Sequence, residues 1–441
     1  MSGSAGAPAR RIGLFMATML VAGNLIGSGI YLLPATLAAT GSISIFGWII
    51  AAIGALVLAG VFSLIMMVRP TEEGLADTVE AAMGPFWGFH TSLIYWLSIW
   101  LANIAIALAV TGYLAALFPV LGQPEIAAFT TIGVIWALTA VSMFGPRAIG
   151  RMHGMTLAIG LVPLLAAGAL GWLWFDSQMF AASWNVTGES SMSAVYGSML
   201  SVFWAFLGVE CAAMVARTVE RPERNVPLAT MGGVLLAALV YSFASTAIFG
   251  LVPAGDLAVS SAPFALAVER ILGPVAAALV AVCAILKASG TLGGWVFVTG
   301  EATRWTAKAG YLPRWLSVTN PREIPVRALL VMGVVMSLAA FATAAETIAE
   351  QFLTLINAVV VLNLMVYIYS AFALVRLTSA SPPKLRLAAW IIAILAGAFC
   401  AALLASSGWE MISIATVLAV STVPAWWLVS LQARRRASGV A

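Results

Sequence analysis

Twelve apolar stretches, each of roughly 20 residues or a little more, follow one another along this chain with only short polar turns between them. They lie near 12–39, 44–68, 85–113, 125–144, 152–175, 195–216, 228–251, 267–300, 327–344, 348–375, 386–406 and 410–431. A bilayer core needs about 20 helical residues to cross. Inside it every backbone N–H and C=O must be satisfied within the protein, which leaves helices or a closed barrel. Runs this long and continuous choose the helix. The expectation is an all-α integral membrane protein with 12 transmembrane helices. Its composition, 62% hydrophobic and 9% charged with a mean hydropathy of +1.03, excludes an ordinary soluble domain. The first stretch is too long for a removable signal and lacks a small-residue cleavage site, so it is read as a retained span.

Charge sets the expected orientation. Of 21 Lys and Arg, all but Arg270 and Lys287 fall in loops on one side or in the tails. The opposite loops carry Asp176, Glu189, Asp256, Glu346 and Glu410. By the positive-inside rule both termini are cytoplasmic, and a bacterial inner membrane is the expected location. The basic balance therefore reports topology, and a nucleic-acid partner is not expected. Residues 1–11 and 432–441 read as short tails, and 12–431 as one transmembrane domain.

Catalytic chemistry has no visible machinery. Cys211, Cys283 and Cys400 sit singly in apolar segments, His90 and His153 are far apart, and no HExxH, GxSxG or P-loop is present. Neither an enzyme nor a cofactor or metal is expected.

Two interruptions stand out against this background. GNLIGSGIYLLP, residues 23–34, places three glycines, Asn24 and a proline inside the first span. Gly27-Ser28-Gly29 is expected to break the helix and leave backbone amides free. Broken backbone at membrane depth survives where it is buried or lines a cavity, and in transporters such half-helix ends hold charged substrate groups. FWAFLGVECA, residues 203–212, puts a glycine and Glu210 inside the sixth span. Corresponding breaks in spans one and six suggest an inverted repeat. Spans one to five (about 12–175) would pair with six to ten (about 195–375), leaving about 386–431 peripheral.

Glu210 is costly inside a span. It reads as a proton carrier or gate-linked switch, or else as a structural carboxylate held by hydroxyls. Lys287, in CAILKASGTLGGW, has three open readings: a cation in the place of a coupling sodium ion, a proton-exchanging couple with Glu210, or a lysine facing a water-filled vestibule. Trp204 and Trp295 could close over an ammonium or guanidinium by cation–π attraction, or simply pack. Asn103 could bond ligand or a neighbouring helix, and Tyr95 and Trp96 are equally open. Asn357 and Asn363 are candidates for a cavity or for helix pairing. The mixed-charge loop 219–227 could latch onto Glu72, Glu73, Asp77 and Glu80 at the inner face.

Taken together, GNLIGSGIYLLP, WAFLGVECA, TVERPERNVPLATMGG, SSAPFALA and TLGGW resemble the amino acid–polyamine–organocation superfamily. The resemblance is to its basic amino acid/polyamine antiporter branch, which holds arginine:agmatine, ornithine:putrescine and lysine:cadaverine exchangers. It implies a five-plus-five inverted repeat (LeuT-like) with broken helices 1 and 6 and alternating access. By matching motif, Ser28 and Gly29 would hold the substrate carboxylate, with Asn24 lining the pocket. Carbonyls near Ala205 and Phe206 would receive the α-ammonium beside Trp204. Trp295 and Asn103 would meet the side-chain end, Tyr95 would gate, Glu210 would match a family carboxylate, and Glu80 an acidic residue of the putrescine exchanger. Spans eleven and twelve could mediate a homodimer. Two departures are visible: Ala76 stands where the arginine:agmatine exchanger has an aromatic gate, and Lys287 where the branch has small residues or cysteine.

The function expected is a secondary transporter of amino acids, an exchanger of an amino acid for an amine or another amino acid. The alternative is a proton-coupled or facilitative permease for neutral amino acids with Lys287 replacing an ion. Whether Lys287 points into the pocket distinguishes them, because a fixed cation there would repel a cationic side chain. A membrane amino-acid receptor is the remote third reading, for which the short tails offer no signalling extension.

Overall fold

The computed structural model describes residues 12–27, 29–69, 74–210 and 219–437. Ser28, Glu72, Glu73 and Cys211, all raised by the sequence, lie outside the described residues.

The expected helices form in order. The first stretch divides into α1 (Leu14–Leu25) and α2 (Gly29–Ala38), bent by 47° across the break. Then come α3 (Ile45–Val68), the short α4 (Leu75–Met83), α5 (Pro85–Leu117), α6 (Pro124–Ser142) and α7 (Pro146–Leu170). After α8 (Ser177–Ala182), α9 (Ser191–Phe203) ends in a 3₁₀ turn at Trp204–Phe206. The second half continues with α10 (Pro222–Phe249), α11 (Ala254–Ala258), α12 (Pro263–Leu272), α13 (Pro274–Lys308), α14 (Val326–Ala342), α15 (Ile348–Leu377), α16 (Pro383–Ser406) and α17 (Gly408–Ala437). Among the described residues, eight helices are long and apolar enough to span a membrane, and the bent α1–α2 pair makes a ninth. The other three expected spans are shorter apolar helices at Ser191–Phe206, Val326–Ala342 and Met411–Pro424. The first two have a local reason, a helix break after Phe206 and a stop at Thr343.

The exterior is apolar, with Phe15, Ile53, Leu239, Phe243, Leu338 and Phe341 exposed. In water such a surface would be a liability, whereas lipid accepts it. Lipid also removes the hydrophobic drive for helix pairing, so close packing and polar bonds must hold the bundle. α13 runs along α5 and α7, and α15 also packs along α5. Trp96 Nε1 donates to Thr303 Oγ1 (2.8 Å) between α5 and α13, and Trp136 Nε1 to Ser337 Oγ (3.0 Å) between α6 and α14.

One motif occurs twice. Val79-Glu80-Ala81-Ala82-Met83-Gly84-Pro85 and Val268-Glu269-Arg270-Ile271-Leu272-Gly273-Pro274 share the pattern VExxxGP. Each closes a short amphipathic helix and opens one of the two longest helices, α5 with 33 residues and α13 with 35. Gly84 has φ 97° and ψ 173°, Gly273 φ 81° and ψ 178°. That region is essentially restricted to glycine, and a proline at the next helix's first position is pre-set for its start. Gly84 N–H bonds Glu80 O (2.8 Å) and Gly273 N–H bonds Glu269 O (2.9 Å). The same chemistry builds the same corner in both halves.

Candidate functional site: a cavity between two broken helices

α1 ends because Gly27 turns back on itself, its N–H reaching Leu25 O at 2.6 Å. Two residues later α2 begins at Gly29, and its first-turn amides have no partner within the helix. The second break mirrors this. After the 3₁₀ turn at Trp204–Phe206, Leu207 is extended and Gly208 takes φ 95°, which delivers Glu210 inward. The fully buried Tyr241 of α10 joins the breaks, its hydroxyl lying between Leu25 O and Ala205 O (3.3 Å to the latter).

Between the breaks is a cavity of about 70 Å³. Asn24, Gly27 and Gly29 line it from the first break, and Trp204, Ala205, Gly208 and Glu210 from the second. Tyr95, Ser98, Ala102 and Ile106 of α5, Thr291 and Trp295 of α13, and Asn363 of α15 complete the wall. Helix N-termini favour anions, aromatic faces favour cations, and this cavity offers both.

Trp204 is pressed onto the start of α2. A Cβ at Gly29 would stand 2.6 Å from its Nε1 and 2.9 Å from its Cδ1, so only glycine admits the indole there. Its Nε1 is buried without an acceptor among the described residues, which leaves a donor at the cavity wall. Phe352 meets the ring edge-on at 6.3 Å.

Glu210 is 3% exposed and doubly held. Tyr95 Oη donates to Oε1 (3.0 Å) and Tyr367 Oη to Oε2 (2.6 Å). Two hydroxyl donors offset much of the cost of burying a carboxylate, and they tie the second break to α5 and α15.

The other expected residues lie off the lining. Asn103 is fully buried, its Nδ2 bonding Thr299 Oγ1 (2.8 Å) and its Oδ1 unpaired among the described residues. Phe206 packs under Trp48 and Tyr241 at 6.2 and 5.7 Å. Lys287 is 1% exposed and donates to Thr291 Oγ1 (3.1 Å), one turn along α13, rather than lining the cavity itself. Glu80 is exposed on α4 and packed against Gly88. Beside it, in the loop after α13, burial first and then the Glu80 and Asp77 carboxylates push the Tyr311 phenol up. Asn357 accepts from Ser201 (3.1 Å), whereas Asn363 reaches the cavity. Thr291, Tyr367 and Tyr241 carry no sequence signal beyond being polar residues in spans.

Comparison with known proteins places this architecture. The family model described as amino acid permease matches residues 12–429. The chain belongs to that family, in its basic amino acid/polyamine antiporter branch. The permease is 36% identical over 373 residues to a cadaverine/lysine antiporter of Escherichia coli, covering 83% of this chain and 84% of the relative. It is 33% identical over 388 residues to the putrescine transporter PotE of Escherichia coli (87% and 88% covered). The corresponding PotE of Haemophilus influenzae is 32% identical over 374 residues (85% and 86%). The permease is thus a multi-pass membrane transporter and not an enzyme.

Proposed function

We propose that this permease exchanges a basic amino acid for a diamine by alternating access, through the cavity between the two helix breaks. The names of its relatives supply the substrate class. The carrying observation is the meeting at the cavity of α2's N-terminus, at Gly29, with Trp204, Trp295 and Glu210. A carboxylate suits the first and an ammonium suits the rest. Because Lys287 stands behind Thr291, no fixed cation faces the substrate's side chain, which favours a basic substrate over the neutral-amino-acid alternative.

In this reading twelve spans form two inverted five-helix repeats with peripheral α16 and α17, and both termini are cytoplasmic. The VExxxGP corners support the repeat. Ser28 and Gly29 receive the carboxylate, Trp204 closes over the ammonium, and Tyr95 with Glu210 couples the second break to the gate. Purified protein in liposomes preloaded with cadaverine or putrescine should take up labelled lysine or ornithine. Absence of counterflow with every amino acid and polyamine overturns the proposal. Glu210→Gln should flatten the pH dependence of exchange, and an unaltered profile returns Glu210 to a structural role.

A further inference from the structure

α13 carries four threonines, and one behaves differently from the rest. Thr299, Thr303 and Thr306 each donate their hydroxyl to the carbonyl four residues back, at 2.9, 2.7 and 2.8 Å. This is the usual fate of threonine in a helix. Thr291 makes no such bond. Its oxygen instead accepts from Lys287 Nζ at 3.1 Å. An ammonium has donors only, so the direction is fixed and the Thr291 proton stays free. No acceptor meets it among the described residues, and Thr291 lines the cavity. Its methyl carbon stands 3.4 Å from where a Cβ on Gly27 would be, against the first helix break.

Lys287 is held in place for this. Gly160 of α7 faces its stem so closely that a Cβ there would overlap Lys287 Cβ. The Gly160 carbonyl accepts from Tyr31 Oη of α2 (2.9 Å), so α2, α7 and α13 meet around the lysine. The described ion pairs, Arg270–Asp256 and Arg304–Glu301, do not involve it. A buried cation without a carboxylate is expensive, and the adjoining cavity is where a negative group could come to it.

We infer that Lys287 and Thr291 together read the substrate carboxylate. Lys287 is the positioning residue, turning the Thr291 hydroxyl toward the break, and its positive charge adds to the N-terminal dipole of α2. This wall therefore separates an amino acid from the amine that lacks the carboxylate. The inference rests on the proposed exchange and assigns its selectivity to one wall of the same cavity.

Binding of lysine, ornithine, cadaverine and putrescine to purified protein tests it by calorimetry. Thr291→Val and Lys287→Met should each weaken the amino acids by about tenfold or more, the scale of a hydrogen bond to a charged group. Cadaverine and putrescine should change less than about threefold, against that tenfold standard. The double variant should lose no more than the larger single loss, since the residues act in series, and Thr291→Ser should retain selectivity. Should Lys287→Met fail to fold, Thr291→Val and Thr291→Ser carry the test alone. Equal loss for amino acids and amines, or no loss, overturns the inference while leaving exchange intact. Wild-type protein that binds neither class overturns the exchange reading and the inference with it.

Discussion

The corners at Gly84 and Gly273 have one geometry, and the helices that follow them carry different chemistry. Counted from each glycine, positions fourteen, eighteen and twenty-two are Ser98, Ala102 and Ile106 on α5, and Lys287, Thr291 and Trp295 on α13. Five of these six line the cavity, and the sixth, Lys287, bonds a residue that does. Spacing by four keeps them on one helix face. The same stripe of each helix thus faces the cavity, but α5 offers a small, weakly polar wall and α13 a hydroxylic and aromatic one backed by Lys287. Tyr95, eleven residues after Gly84, reverses the pattern: its counterpart after Gly273 is Ala284. The shared corner supplies the scaffold, and under the proposed exchange the difference between the two helices supplies recognition.

The largest effect should come from breaking the scaffold itself. Gly84→Val and Gly273→Val each force a branched residue into a region that only glycine occupies comfortably, at a cost of about 3 kcal/mol. Both should lower the thermal midpoint of the purified protein, and by similar amounts. A loss confined to one variant would mean that the corners are not equivalent.

How much of this was readable in advance follows the range of the interactions. Among the described residues, nine of the twelve apolar stretches became spanning helices or a broken pair and the other three shorter apolar helices, because lipid leaves hydropathy to decide. Local glycine chemistry announced both breaks, and the cost of a buried carboxylate announced Glu210. What it bonds was invisible, since Tyr95 and Tyr367 lie 115 and 157 residues away. The repeated corner is a weak signal, because VExxxGP is seven residues inside otherwise dissimilar halves. Asn103 reads equally as a ligand contact or a helix pair from sequence, and only the neighbouring α13 shows its amide on Thr299. Which way Lys287 turns depends on helix rotation and on the space at Gly160, neither of which composition or periodicity can give.

Recognition should then divide unevenly between the halves. Tyr95→Phe removes one of two donors to Glu210 without changing shape, and a hydrogen bond to a charged group is worth about 1.5–3 kcal/mol. Exchange should slow by about tenfold or more, measured as counterflow in liposomes. Replacing the counterpart, Ala284→Ser, should leave the rate within about twofold, as most changes away from special features do. Trp295→Ala should weaken cadaverine binding by about three- to tenfold through lost cation–π attraction. Ile106→Ala, at the matching position, offers no cation partner and should change it less. Equal losses at 106 and 295 would remove the aromatic contribution from the second half.

Ser98 gives the finest test, because it holds the register of Lys287 on the plain wall. Its hydroxyl already donates to Tyr95 O at 2.8 Å, a bond within its own helix that leaves no proton for a ligand. Ser98→Ala should therefore alter lysine and cadaverine affinity alike, by less than about twofold, within the range of a neutral substitution. A shift that favoured one substrate over the other would show that α5 also distinguishes carboxylate from amine. The division of labour between the two walls would then give way to a shared one, with both helices reading the group that separates the exchanged partners.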